Sequence, residues 1–162
     1  MSTDCAVIVK AGNNQYAVFP YIKYDGYPEG KGQTLQKILN RNDDKARVIF
    51  EINAIAEEFC RISYTNSFEE ALDLLHIYIN YIYYIDLEIH KLYLYKYLTL
   101  IPIKDYVLIE QFLNSNKHKK QNKKDFTQDF CSKFNPNLIN FALEMAKDYG
   151  YKLLQVGLME TE

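Results

Sequence analysis

The chain has 162 residues, 48 % of them hydrophobic and 25 % charged, which is the balance of a globular protein and excludes a disordered one. Nineteen basic side chains stand against 21 acidic ones, and the resulting net charge of −2 excludes a generically basic nucleic-acid coat. With only 6 Gly and 4 Pro the scaffold is not dominated by loops, while aromatic residues reach 15 %. The most apolar stretch, 72–109, is broken by Asp73, Asp86, Glu88, Lys91 and Lys96, whereas a membrane span needs about 20 nearly uncharged residues. Met1–Lys10 lacks the basic start, long apolar core and cleavage site of a secretion signal. Cys5, Cys60 and Cys131 are odd in number and far apart, with no Cys-x-x-Cys, so free thiols in a reducing cytoplasm are expected, without disulfide or zinc.

In chain order, Cys5–Lys10 is a β-branched apolar run, Gly12-Asn13-Asn14 a turn signal, and Gln15–Phe19 a second strand extending to Ile22; together they predict a β-hairpin. Residues 24–32, Tyr-Asp-Gly-Tyr-Pro-Glu-Gly-Lys-Gly, read as a loop. A short helix follows over Gln33–Asn40. Asn42-Asp43-Asp44 caps the next helix, in which Val48, Ile52, Ile55, Phe59 and Ile62 recur at steps of four and three on one face. Ser67-Phe68-Glu69-Glu70 fits a capping box and predicts a helix of about ten residues through Leu75.

Ile79–Asp86 and Lys91–Leu98 predict a second hairpin. In its second strand Tyr93, Tyr95 and Tyr97 alternate with leucines, giving one tyrosine face and one leucine face. Asp105–Leu113 reads as a helix and Asn114–Lys124 as a basic polar stretch. Asn135-Pro136 opens a last helix with an inner stripe of Leu138, Ala142, Met145 and Tyr149, stopped by Gly150, and Tyr151–Leu158 suits a closing strand. The whole reads as one α+β domain over 1–162. Two hairpins form a mainly antiparallel sheet, with helices packed chiefly on one face.

The 24–32 segment is the sharpest chemical feature. A glycine-rich loop between strand and helix can present free amides to an anion. Tyr24 and Tyr27 can stack on a flat ring, Lys23 and Lys31 add positive charge, and Gly26, Gly30 and Gly32 allow close approach to the backbone. The phosphate-binding loop of triphosphatases is not met: only three residues separate Gly26 from Gly30, and Gly32-Gln33 follows Lys31 where Ser or Thr should stand. Asp25 is the one carboxylate placed where catalysis is believable. His76, His90 and His118 lack metal-ligand spacing, and the adjacent pairs Glu57-Glu58 and Glu69-Glu70 point in different directions on a helix. Tyr93, Tyr95 and Tyr97, joined by Tyr81 and Tyr83, offer either a stacking platform or a half-buried face beneath a helix.

Tyr24-Asp25-Gly26-Tyr27-Pro28-Glu29-Gly30-Lys31-Gly32 resembles a motif, Tyr-Asp-Gly-Tyr-Pro-x-Gly-x-Gly, of a family of small, largely uncharacterised proteins found mainly in phages and bacterial mobile elements. Many members open with Gly-Thr-Arg, where this chain has Ser2-Thr3-Asp4; Tyr83–Leu87 is similar to their tyrosine-rich hairpin strand. The resemblance implies a viral or mobile-element protein acting in the host cytoplasm, and brings no catalytic mechanism or cofactor. With the Gly–Tyr loop, it leads to the expectation of a non-catalytic protein that blunts host defence by sequestering a nucleotide-like signal or an effector protein. The alternatives are a nucleotide hydrolase using Asp25 and a structural or interaction module, with self-association through exposed aromatics.

Overall fold

The computed structural model describes residues 3–56 and 60–116, together with 132, 138, 139, 141, 142 and 145. Two compact units make up the chain, Met1–Ile103 and Lys104–Glu162.

The first unit is built on a six-stranded mixed sheet. Its elements in chain order are β1 (Cys5–Gly12), β2 (Gln15–Ile22), α1 (Gln33–Arg41), α2 (Lys45–Ile55), β3 (Ser63–Thr65), α3 (Phe68–Asp73), β4 (Tyr81–Asp86), β5 (Lys91–Lys96) and β6 (Thr99–Pro102). The spatial order is β3-β2-β1-β4-β5-β6. Both predicted hairpins form: β1 and β2 turn at Asn13-Asn14, and β4 and β5 pair antiparallel from Asp86↔Lys91 to Ile82↔Tyr95. The sheet is not simply antiparallel, however. β1 and β4 lie side by side in parallel, Cys5 opposite Tyr81 and Lys10 opposite Asp86. A parallel strand is covered on both faces and so reads as an unbroken apolar run. Cys5, Ala6, Val7, Ile8 and Val9 are accordingly all fully buried.

Helices lie on both faces of the sheet, where packing chiefly on one face was expected. Neighbouring residues in a strand point to opposite sides. Tyr84 shares a cluster with Ile8, Val18 and Ala71 of α3, against which Phe68, Leu72, Tyr16 and Tyr93 pack. On the other side, the Tyr83 hydroxyl reaches the segment that leads into α1. α1 buries Leu35, Ile38 and Leu39, and α2 buries Val48 and Ile52. The two helices are tied by an Arg41–Glu51 ion pair at 2.7 Å.

Local chemistry explains most boundaries. The Asp44 side chain accepts the Ala46 amide at 3.1 Å, as its cap position predicts. α2 ends at Ile55, short of the predicted span: Ala56 is extended, and Ile62 precedes β3, where Ser63–Thr65 return to pair with Tyr16–Val18. Ser67 accepts the Glu70 amide at 3.1 Å, yet the Glu70 carboxylate reaches the Asn66 amide and not that of Ser67. α3 spans six residues, shorter than expected. The β5–β6 turn places Tyr97 and Leu98 both at positive φ, 51° and 63°, a region unfavourable for residues with a Cβ.

A helix, α4, runs over Ile103–Asn116, all but its first residue in the second unit, and is longer at both ends than predicted. Tyr106 is buried in it, its ring 6.0 Å from that of Phe141. Ala142 and Met145, two of the expected inner positions of the last helix, are buried. That helix as a whole, the strand 151–158, Phe59, Glu57, Glu58, His118, Cys131 and most of the basic stretch lie outside the described residues.

The core makes one pH-dependent contribution that can be isolated. Desolvation of the buried Cys5 thiol raises its pKa from 9.0 to about 12. Above pH 9 the unfolded chain releases this proton while the folded chain keeps it, so stability falls as pH rises through that window, by up to about 1.4 kcal/mol per pH unit. Burial moves Tyr84 in the same direction. Urea unfolding of the wild type between pH 8 and 11, compared with Cys5→Ala, is expected to show a shallower decline in the variant. Equal slopes would remove Cys5 as the source.

Candidate functional site

The segment that follows β2 is organised by a buried acid that the sequence reading did not single out. Asp4, just before β1, is 7 % exposed. Burying a carboxylate is costly unless its oxygens are hydrogen-bonded. One oxygen accepts the Tyr21 hydroxyl at 2.8 Å and the other accepts the Tyr24 amide at 3.1 Å. The bond to Asp4 is the main reason the Tyr21 hydroxyl is pushed above its usual range. The Asp4 amide donates to Asn80 Oδ1 at 3.1 Å, and its carbonyl accepts the amides of Asn80 and Tyr81 at the start of β4.

Beyond Tyr24 the backbone is strained. Tyr24 and Asp25 both sit at positive φ, 68° and 52°. Strain of this kind persists only where the surroundings over-determine it. Here Asp4 holds the Tyr24 amide, Lys31 Nζ donates to the Tyr24 carbonyl at 3.1 Å, and the Lys31 amide donates to the Asp25 carbonyl at 2.6 Å. Gly26 donates to Thr3 at 2.8 Å and accepts the buried Tyr83 hydroxyl at 2.7 Å. Pro28–Gly32, read from sequence as part of a loop, is a single π-helical turn that runs into α1, closed by the Gly32 amide on the Tyr27 carbonyl at 3.3 Å.

The glycines serve the protein's own packing. A Cβ on Gly26 would lie 2.7 Å from the Asp4 carbonyl carbon, and one on Gly30 would lie 2.3 Å from the Asp25 oxygen. On Gly32 it would press on the Tyr83 hydroxyl at 3.1 Å. The amides of Tyr24, Gly26, Gly30, Lys31 and Gly32 all donate internally. These five amides therefore form no open anion cradle, and what the segment presents outward is side chains. Tyr24 is 51 % and Tyr27 40 % exposed. Lys23 Nζ lies over the Tyr24 ring, 5.1 Å from its centre. The Tyr27 hydroxyl donates to Asp25 Oδ1 at 3.3 Å, and the nearby Asp25 charge pushes that hydroxyl upward in pKa. Asp25 is thus exposed beside a tyrosine, while the Lys31 ammonium is engaged by a carbonyl.

A second concavity opens at the edge of the sheet. A groove of ≈ 700 Å³ is lined by Pro20, Tyr21, Cys60, Arg61, Ser63 and Leu74–Ile77. None of these was a predicted site residue. They come from three separated segments, and the one sequence signal was Pro20 inside a strand, which marks an edge or bulge. A smaller groove of ≈ 240 Å³ lies along Tyr16, Tyr64 and Asn66. Residues 24–32 line neither groove.

The tyrosines of β5 pack within the protein. Phe68 of α3 meets Tyr84 and Tyr95 edge-on at 5.2 and 5.4 Å, and Tyr93 lies 6.1 Å from Tyr84. Tyr81 and Tyr83 stack at 6.3 Å on the opposite face, so the five rings do not form one platform. Among the described residues, no group of three or more His, Cys, Asp or Glu is placed to hold a metal ion. No described helix is long and apolar enough to cross a membrane. The chain matches no family model, and no curated protein or solved structure is significantly similar to it.

The geometry separates glycines held by packing from glycines that are merely permitted. Gly30→Ala meets backbone and is expected to cost about 1–3 kcal/mol by the overpacking range. Gly12→Ala meets only the flexible end of Gln15 and should stay within about 0.5 kcal/mol. Tyr83→Phe leaves the buried Gly26 carbonyl without that donor, at about 1–3 kcal/mol. Chemical denaturation of the three variants checks the ranking; a Gly30→Ala protein as stable as the wild type contradicts it.

Proposed function

We propose that this chain is a non-catalytic binding protein of the phage or mobile-element type, which counters host defence by sequestering a nucleotide-like signal or an effector protein in the host cytoplasm. The observation that supports the reading is the pair of outward-facing rings, Tyr24 and Tyr27, carried on a backbone whose amides and carbonyls are already tied down. Rigid aromatic anchors lose little entropy on binding, and binding residues concentrate on loops held by a rigid scaffold. Because five of the segment's amides are committed internally, recognition runs through side chains: stacking on the tyrosines, with Lys23 and Asp25 beside them. The motif resemblance supplies the phage context and the defence setting.

The test is a thermal-shift screen against cyclic and ADP-ribose-derived nucleotides, followed by chromatography of the released ligand. A ligand at 100 times its dissociation constant is expected to stabilise the fold by about 2.7 kcal/mol and to be recovered unchanged. Tyr24→Ala combined with Tyr27→Ala should abolish the shift without lowering the stability of the free protein by more than about 0.5 kcal/mol, as for exposed positions. Recovery of a product, lost in Asp25→Asn, replaces sequestration by hydrolysis. If no nucleotide binds and the wild type and double variant capture the same proteins from host lysate, the reading fails.

A further inference from the structure

The groove beside Tyr21 exists because the sheet's outer edge is only partly covered. β3 pairs with Tyr16–Val18 and no further. Pro20, two residues on, has no amide hydrogen to extend a ladder. It lies where the β1–β2 register shifts, between the pairs Val7↔Phe19 and Cys5↔Ile22. The walls of the resulting notch are pinned to β2 without a strand. The Pro20 carbonyl accepts the His76 amide at 3.3 Å. Asp4 fixes the Tyr21 ring by accepting its hydroxyl from behind. The notch is thus held by bonds to the backbone of Pro20 and to the Tyr21 hydroxyl.

That lining has a definite chemistry. Tyr21 and His76 approach at 5.1 Å between ring centres, and His76 and Tyr78 at 5.6 Å, so three rings follow one another along the rim. Leu74 and Ile77 are large apolar residues left 43 % and 83 % exposed. Arg61 is exposed and lines the groove, and among the described residues no carboxylate pairs with it. Among the described residues no Asp or Glu lines the groove, in a chain whose net charge is −2. A guanidinium and flat ring faces in a cleft of several hundred Å³ suit one class of occupant.

We propose that this notch, with Tyr21, His76 and Arg61 at its centre, is a binding site for a small planar ring carrying a negative charge. The ring extends the row of Tyr21 and His76 over Leu74 and Ile77, and the anionic group pairs with the Arg61 guanidinium. The site is separate from the Tyr24–Tyr27 surface and does not rest on the function proposed for it.

Titration of the full chain with phenyl phosphate, followed by amide chemical shifts, tests this. Saturable shifts are expected at Arg61, Ser63, His76 and Ile77. Inorganic phosphate, which lacks the ring, and benzylamine, which carries the opposite charge, are each expected to bind at least tenfold more weakly. Arg61→Glu, at an exposed position, should weaken phenyl phosphate at least tenfold with the rest of the spectrum unchanged, whereas Tyr24→Ala combined with Tyr27→Ala should leave it unaffected. Absence of saturable shifts at these residues, equal binding of benzylamine, or full affinity in Arg61→Glu overturns the proposal.

Discussion

A single carboxylate, that of Asp4, links three parts of the first unit that are far apart in sequence. Through its two oxygens it holds the end of β2 and the turn that follows, and through its main chain it receives the first residues of β4. A buried acid is tolerable only when its acceptors are filled, so the Tyr21 hydroxyl and the Tyr24 amide are conditions of the fold as well as its consequences. The left-handed backbone at Tyr24 and Asp25 begins at the residue whose amide Asp4 accepts. The other Asp4 oxygen accepts the hydroxyl of Tyr21, which lines the edge groove. Both candidate surfaces therefore depend on one desolvated charge at the mouth of β1.

Around that charge, the glycine-rich segment acts as tightly packed structure with an exposed outer surface. Gly26 lies against the backbone of Asp4 and Cys5, Gly30 against Asp25, and Gly32 against Tyr83. A loop that binds phosphate keeps its amides pointing outward. Here five of them are bonded within the protein, and the rings of Tyr24 and Tyr27 are what the segment leaves exposed. The division of labour between a consumed backbone and presented side chains is the usual arrangement for surface recognition on a rigid frame.

Much of this was legible in the residues, and the gaps have physical causes. The first hairpin, α1, the Asp44 cap and the Ser67 cap are local, set by side chains within a few positions of the backbone they satisfy. β3 and β6 are three and four residues long, too short for an alternating pattern, and are defined only by the strands they join. The apolar period of α2 continues past its end because Ile55 and Ile62 remain partly buried after the helix stops; periodicity reports burial, not hydrogen bonding. In the site, the need for glycine was readable, but its reason was not, since Gly32 is constrained by Tyr83, far away in the chain. Asp4 gave no local sign of its partners. The Tyr21 groove, assembled from three segments, has no contiguous signature at all.

The parallel seam between β1 and β4 also bears on how the molecule assembles. Asp4 and Asn80, bonded at one end of that seam, are 76 positions apart. On either side of it stand units that close locally: β1 with β2, and β4 through β6 as a meander. Hairpins form in about 1–10 μs, whereas distant pairings must first meet the entropy of closing a long loop. On this topology the sheet's two halves are expected to close before their union at the centre, which carries the larger loop-closure cost. During that interval the flanks of β1 and β4 are unpaired edges, the kind of surface to which a second chain adheres. Synthesis from the N-terminus lengthens the wait, because β1 must stay in solution until the residues that complete it have been made.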